Sequence, residues 1–181
     1  MKNGVEAVKR TGEYSDEFLV RAMSTQTSGD DGGSVTLLQP DGSQAPGSPF
    51  TGPNLPGPWA AVVDGDDQVW ISNFAAPWGR IAHLCGTRTE TCPPGMKTGD
   101  PISPPGGYVG GGLQMQVDIA LDPAGNIWVG NNWQDINQCF ENTYVEALST
   151  RCGGQGVVVF YGMAKPLRTP LIGPPRQPVV N

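Results

Sequence analysis

One stretch of this chain repeats itself. Residues 58–74 read PWAAVVDGDDQVWISNF and residues 116–132 read QVDIALDPAGNIWVGNN. Asp64 aligns with Asp122, Val69 with Ile127, Trp70 with Trp128 and Asn73 with Asn131, each pair 58 positions apart. A single offset that holds over so many positions marks a repeat architecture, and it constrains the fold more than any bulk property does.

Each copy reads as a β-hairpin. Ala60 to Val63 and Ile119 to Leu121 are short apolar strands. Asp64-Gly65-Asp66-Asp67 and Asp122-Pro123-Ala124-Gly125 are turns, because Asp accepts backbone amides two residues on, Pro fixes φ and Gly takes positive φ. Gln68 to Ser72 and Asn126 to Gly130 return as half-buried strands with Val/Trp alternation. A third strand follows in each unit, over 79–84 and 156–161. An earlier, weaker copy is visible upstream: Phe18 to Ala22 stands in the place of the Trp strand, and Gly33 to Leu38 matches the third strand. Pro-flanked segments close the units at 48–51, 101–103 and 169–172, and proline suits an edge strand.

The units therefore run over 4–55, 56–112 and 113–175 of a single domain, 1–181. Four short strands per unit is the signature of a β-propeller blade, with insertions at 85–112 and 133–154 accounting for the long spacing. Composition agrees with an all-β chain: 26 glycines and 18 prolines supply turns, while five Trp, five Phe and four Tyr supply a core that a disordered chain lacks. The expected fold class is all-β, with about three four-stranded blades of a β-propeller. Three blades do not close a ring, so the propeller is expected to be partial, continuing in a longer chain, or completed by self-association. Gln177 to Asn181 stands where a further blade would begin, which favours the longer chain.

The pattern resembles the virginiamycin B lyase-like (streptogramin lyase) β-propellers, near the wider NHL and gluconolactonase-like propellers. The residues that carry it are Pro58-Trp59-Ala60, Asp64-Gly65, Val69 to Asn73 and Gly79-Arg80-Ile81, then Asp122 to Asn131. They cover about two thirds of the chain. The resemblance implies a blade fold, with lyase or lactonase chemistry and magnesium or calcium as what the family brings. Its histidine and glutamate places hold other residues here: Trp59 and Val117 at the start of the innermost strands, Asn73 and Asn131 at the ends of the Trp strands. The family's catalytic groups thus carry over to no residue of this chain, and if such chemistry exists it lies in other blades.

Read from the residues alone, the chemistry is equally sparse. General acid–base catalysis needs a titratable group held against a substrate, and the single histidine, His83, is expected on a strand face exposed to water. No G-x-S-x-G elbow accompanies it. Asp64, Asp66, Asp67, Asp30, Asp31, Asp118 and Asp122 are oxygen ligands of the calcium kind, but they lack the spacing of a calcium loop, and an Asp before a tight turn closes that turn. No metal site or cofactor is expected from them. Gly106-Gly107 and Gly110 to Gly112 flank Tyr108, with neither the helix nor the Lys of a phosphate loop, and read as flexible loop. Trp70 and Trp128 are expected to pack in blade cores. Trp59, Asn73, Trp78, Asn131, Asn132 and Trp133 fall at strand ends or in insertions, and the combination of apolar rings with amides suits a sugar, peptide or other small-molecule ligand.

Cys85 and Cys92 enclose six residues and Cys139 and Cys152 enclose twelve, each pair inside one insertion. Two local disulfides are the expected pairing among the three that four cysteines allow, with free thiols or a metal as the alternatives. Zinc would want C-x₂₋₄-C spacing, which is absent. Oxidised cysteines would place the protein outside the cell or in a periplasm, although Met1 to Glu6 carry no apolar run of the signal-peptide kind. A net charge of −6 with scattered basic residues argues against a nucleic-acid partner, and no apolar run is long enough to span a membrane. The reading that follows is a non-catalytic, exported propeller module that binds or interacts. The alternative is part of a streptogramin lyase-like or lactonase-like propeller enzyme whose catalytic residues lie elsewhere.

Overall fold

The turn signals and short apolar runs become ten strands in a computed structural model, which describes residues 3–7, 19–24, 33–39, 41–74, 80–110, 112–113, 115–131 and 156–166. The strands are β1 (Asn3–Ala7), β2 (Leu19–Ser24), β3 (Gly33–Leu38), β4 (Phe50–Thr51), β5 (Pro58–Val63), β6 (Val69–Asn73), β7 (Arg80–Leu84), β8 (Gln116–Leu121), β9 (Ile127–Asn131) and β10 (Gly156–Phe160). Among the described residues the one helical element is a 3-10 turn over Thr89–Thr91. The protein is all-β, in three antiparallel sheets: β1-β2-β3-β4, β5-β6-β7 and β8-β9-β10.

The repeat is structural as well as sequential. Trp70 stands opposite Val62 on one side and His83 on the other, and Trp128 stands opposite Ala120 and Val159. A register shift falls at the same place in both units, between Pro58 and Ala60 and between Gln116 and Asp118. An extra residue there bends the strand and re-aims a side chain. The first unit gains an inner strand, β1, that its polar and small residues, NGVEA, do not announce. The 101–103 segment makes one bridge, Leu84 to Pro101, in place of a strand. The segment 169–172 lies outside the described residues.

The sheets stack face to face. Val35, Leu37, Ala45 and Leu55 of the first unit pack with Ala61, Val69, Ile71, Ala82 and Leu84 of the second sheet. The other face of that sheet, through Ala60, Trp70 and Ile81, packs with Ile119, Ile127 and Val129 of the third. Every residue of β6 is consequently buried, and a strand covered on both faces reads as a near-continuous apolar run. β5 approaches β1 and β2 on one side and β8 on the other, so the first strand of each unit neighbours the first strand of the next.

One contact fixes both hairpins. Asp64 Oδ1 accepts the Asp66 and Gln68 N–H groups at 2.9 and 3.0 Å, and Oδ2 accepts Trp70 Nε1–H at 3.0 Å. Asp122 Oδ1 takes the Ala124 and Asn126 N–H groups at 2.8 and 3.0 Å, and Oδ2 takes Trp128 Nε1–H at 2.9 Å. These donors, Trp128 first, hold the Asp122 carboxyl down to about 2. The fourth turn residue is left-handed in both, Asp67 at φ 65° and Gly125 at φ 82°. Asp67 bears that conformation with a carboxylate that accepts the Thr87 and Arg88 N–H groups and so pins the next loop.

After β10 the chain crosses both turns. Ala164 N–H donates to Gly125 O, and Gly65 N–H donates to Lys165 O, each at 3.0 Å. Lys165 N–H reaches Asp64 Oδ2 at 3.2 Å. The approach is close enough that a Cβ on Gly65 would lie 2.1 Å from Pro166 O, and one on Gly125 2.2 Å from Ala164 O. Glycine at these two turns is what lets the strap lie flat.

The two tryptophans differ in surroundings. Trp70 is 1% exposed, whereas Trp128, expected in a core, is 43% exposed. The third sheet covers Trp70, while the face that carries Trp128 also shows Val157, 63% exposed, to solvent. Asp64→Ala is expected to leave the buried Trp70 indole N–H without an acceptor and to cost about 2–4 kcal/mol. Asp122→Ala, whose partner indole on Trp128 reaches water, is expected to cost clearly less. Urea denaturation curves of the two variants check this, and equal losses would contradict it.

Candidate functional site

The polar side chains named from the sequence are largely occupied by the fold. Asn73 closes β6 and is fully buried. Its Nδ2 donates to Asn54 O at 3.1 Å and Arg80 O at 3.2 Å, and its N–H donates to Gln116 Oε1 at 3.3 Å. Gln116 Oε1 also accepts the Arg80 N–H. Asn131 stands opposite Gln116 at the start of β8 and donates Nδ2–H to Gly112 O at 2.8 Å. Gln116 thus stands between the two repeat asparagines. Trp59 sits at the strand irregularity, half-buried, with its ring 5.1 Å from Phe74. Trp78, Asn132 and Trp133 lie outside the described residues.

Sequence reasoning missed the residues that complete this buried network. Asn54 Nδ2 donates to Ser103 O and Oγ, and Asn54 Oδ1 accepts the Gly106 N–H. Ser103 Oγ accepts the His83 N–H at 3.2 Å. The network ties the 52–57 turn, the end of β6, the start of β7 and the 101–108 segment into one body. The available signal was an Asn inside a Gly/Pro turn and a Gln at the place that Pro58 holds in the neighbouring unit. Asn73 Oδ1 and Gln116 Nε2 remain buried without a protein partner among the described residues.

His83 is buried, 7% exposed, in contrast to the exposed position expected from the sequence. Strand pairing sets it opposite Trp70, and the third sheet then covers both. Its imidazole lies on the Trp70 indole with centroids 3.7 Å apart and planes 12° apart, and Tyr108 stacks on the same indole at 5.9 Å. His83 Nε2 has no hydrogen-bond partner among the described residues. Burial pushes its pKa down to about 4, so the ring is neutral near neutral pH. Among the described residues no carboxylate hydrogen-bonds to its ring, and its place is against the Trp70 indole.

The acidic residues do structural work. Asp64 and Asp122 hold their turns, Asp67 holds residues 87–88, and Asp118 Oδ1 accepts the adjacent Ile119 N–H. Asp30 and Asp31 lie outside the described residues, within which no group of three His, Cys, Asp or Glu side chains could hold a metal. Cys85 and Cys92 are joined by a disulfide, with Cα atoms 5.7 Å apart. Cys139 and Cys152 lie outside the described residues. No helix among the described residues is long and apolar enough to cross a membrane.

A concave surface opens beside that disulfide. Val35, Leu37 and Phe50 of the first sheet face Val63, Val69 and Leu84 of the second across an apolar cleft. An empty volume of about 460 Å³, open solvent at its mouth included, lies over a floor of core residues, Val35, Leu37, Val69 and Leu84. Asp67, Gly86, Thr87, Thr98 and Gly99 form its polar end. No local motif announces it, because its walls come from separate units.

A scan against models of protein families finds none that matches this chain, and no curated protein and no solved structure matches it. The chain itself defines a class: all-β, with three stacked antiparallel sheets and a repeated Asp–Trp hairpin.

His83 makes stability depend on pH. Its folded pKa of about 4 lies below the unfolded value of about 6.5. The unfolded chain therefore binds the extra proton as pH falls through 6.5. The contribution is full above pH 6.5 and declines towards pH 4, for a loss on the order of 3 kcal/mol. Chemical denaturation across that range is expected to show the slope in the native chain and a flatter profile in His83→Phe. Equal slopes would show that His83 does not set it.

Proposed function

We propose that this chain is a non-catalytic binding module built from consecutive β-propeller blades, and that the cleft between its first and second sheets is the ligand site. The cleft is the observation that carries the reading: six apolar side chains converge on a concave surface with one polar end. Concave, mostly apolar clefts with a few placed polar groups are where small molecules bind. The propeller reading draws support from three meandering sheets in chain order, stacked face to face with their first strands adjacent. The shared Asp–Trp contact and the shared strand irregularity of the second and third units support it further.

The lining specifies a class of ligand. The walls accept an aromatic ring or short alkyl group, and the Asp67 carboxylate beside Thr87 and Thr98 favours a neutral or positively charged polar end over an anionic one. The Cys85–Cys92 disulfide supports an exported location, since such bonds persist in oxidising compartments.

Neutral 1-N-phenylnaphthylamine is expected to bind with increased fluorescence, and more tightly than the anionic 1-anilinonaphthalene-8-sulfonate. Val63→Phe narrows the cleft from a partly exposed position and is expected to weaken the neutral dye roughly fivefold or more, with the far-ultraviolet circular dichroism unchanged. Absence of dye binding, or equal affinity in the variant, would overturn the assignment.

A further inference from the structure

We infer that the free edge of β10 pairs antiparallel with β10 of a second copy of this chain, so that two third sheets join across a two-fold axis. The second unit makes, along its equivalent strand, backbone hydrogen bonds that the third unit leaves unmade.

In the second unit the outward edge of β7 is served. Ile81 and Tyr108 exchange N–H···O bonds at 3.0 and 2.8 Å, His83 O accepts the Ile102 N–H at 2.7 Å, and Cys85 N–H donates to Asp100 O at 2.8 Å. In the first unit β4 pairs along β3. Register makes β10 the counterpart of β7. Ile81 stands opposite Ser72 and His83 opposite Trp70, as Val157 stands opposite Gly130 and Val159 opposite Trp128. The ladder alternates, so Val157 and Val159 turn their N–H and C=O groups outward as Ile81 and His83 do. Among the described residues no hydrogen bond reaches those groups. The chain itself leaves in another direction: beyond Tyr161 it crosses the hairpin turns, with Ala164 on Gly125 and Lys165 on Gly65.

An unpaired row of donors and acceptors is a template for another strand, and β10 fits its own template. Antiparallel pairing centred on Val158 sets Val157 opposite Val159 of the second copy, and Val159 opposite its Val157. Each outward N–H then meets an outward C=O, so the partial charges of the two edges are complementary. The same pairing sets β-branched side chains against one another, as a ladder favours. On the other face Phe160 comes opposite Gly156 of the second copy, whose missing side chain leaves room for the ring. Net charge is no obstacle at this place. The chain carries −6, yet residues 156–164 hold no charged side chain and no proline, and those are the residues that keep exposed edges apart. Val157 is 63% exposed and stands ready for the contact. Because one strand supplies both sides, the contact is self-complementary and closes at two copies.

Light scattering of the full chain under non-reducing conditions is expected to give twice the mass of one chain, falling on dilution. Amide hydrogen exchange reads the same contact by residue. The Val157 and Val159 N–H groups are expected to exchange slowly in the double-mass species and faster as the mass falls, while Val158 N–H, turned towards β9, stays slow throughout. Val159→Pro removes an outward N–H that pairing with β9 does not use, and an edge strand accepts proline there. It deletes a ladder bond from each copy and is expected to raise the dissociation constant roughly tenfold or more. Val157→Lys brings a like charge from each copy beside the axis and is expected to shift the mass the same way, so that a folding defect in one variant does not decide the matter. Val109→Lys, on a loop and 64% exposed, is expected to keep the double mass. Circular dichroism and urea midpoints check that each variant folds. A single-chain mass for the native protein overturns the inference, and slow Val157 and Val159 exchange at every dilution would then mean that the chain covers its own edge. A double mass that survives both edge variants overturns it as well, by placing the contact elsewhere.

Discussion

A carboxylate shared between a turn and an indole holds this structure together. In each hairpin one oxygen of the Asp satisfies two backbone N–H groups of the turn, and the other oxygen takes the indole N–H six residues on. A Trp side chain brings a large apolar area and one polar atom that needs an acceptor when buried. The turn Asp supplies that acceptor, so the same group that reverses the chain also fixes the ring that the next sheet covers. Local geometry and sheet-on-sheet packing thus meet at one atom.

The middle sheet shows what this arrangement makes available. Its face towards the first unit is built from small and aliphatic side chains, and its face towards the third carries Trp70, His83 and Ile81. A histidine stacked on an indole, with one nitrogen lacking a partner among the described residues, is tolerated because the neutral imidazole costs less to bury than the cation. The amides of Asn54, Asn73 and Gln116 serve the open ends of the strands, where ladder pairing stops and N–H groups would otherwise lack acceptors. These residues cross between units and make three sheets one body.

What the sequence revealed was what depends on near neighbours. The hairpins at 60–72 and 119–130 were legible because Asp, the turn residues and Trp all lie within one short window. The third strands and the first unit's match at 33–38 followed from spacing. β1 escaped notice, since NGVEA has little strand character and is specified by its partner. The burial of His83 is invisible in its own strand, which cannot show the sheet that covers it. The exposure of Trp128 is invisible for the converse reason: equivalence in sequence does not carry equivalence in burial, which belongs to the neighbour. The roles of Asn54, Ser103 and Gln116 depend on partners 36 to 52 residues away, beyond the reach of any local pattern. The cleft likewise has walls from two units and no motif of its own.

The strap over the two turns ties the folding of distant parts to one another. Asp64 collects its turn and indole donors within six residues, but its last donor, Lys165 N–H, stands 101 residues further along the chain. During synthesis the second hairpin can therefore form early, yet its carboxylate is completed only once the third sheet has assembled and the strap has been laid across it. Closing contacts of such sequence separation slows the final step, and until then the Trp70 face is uncovered. Completion runs backwards along the chain, the second sheet being finished by the one made after it.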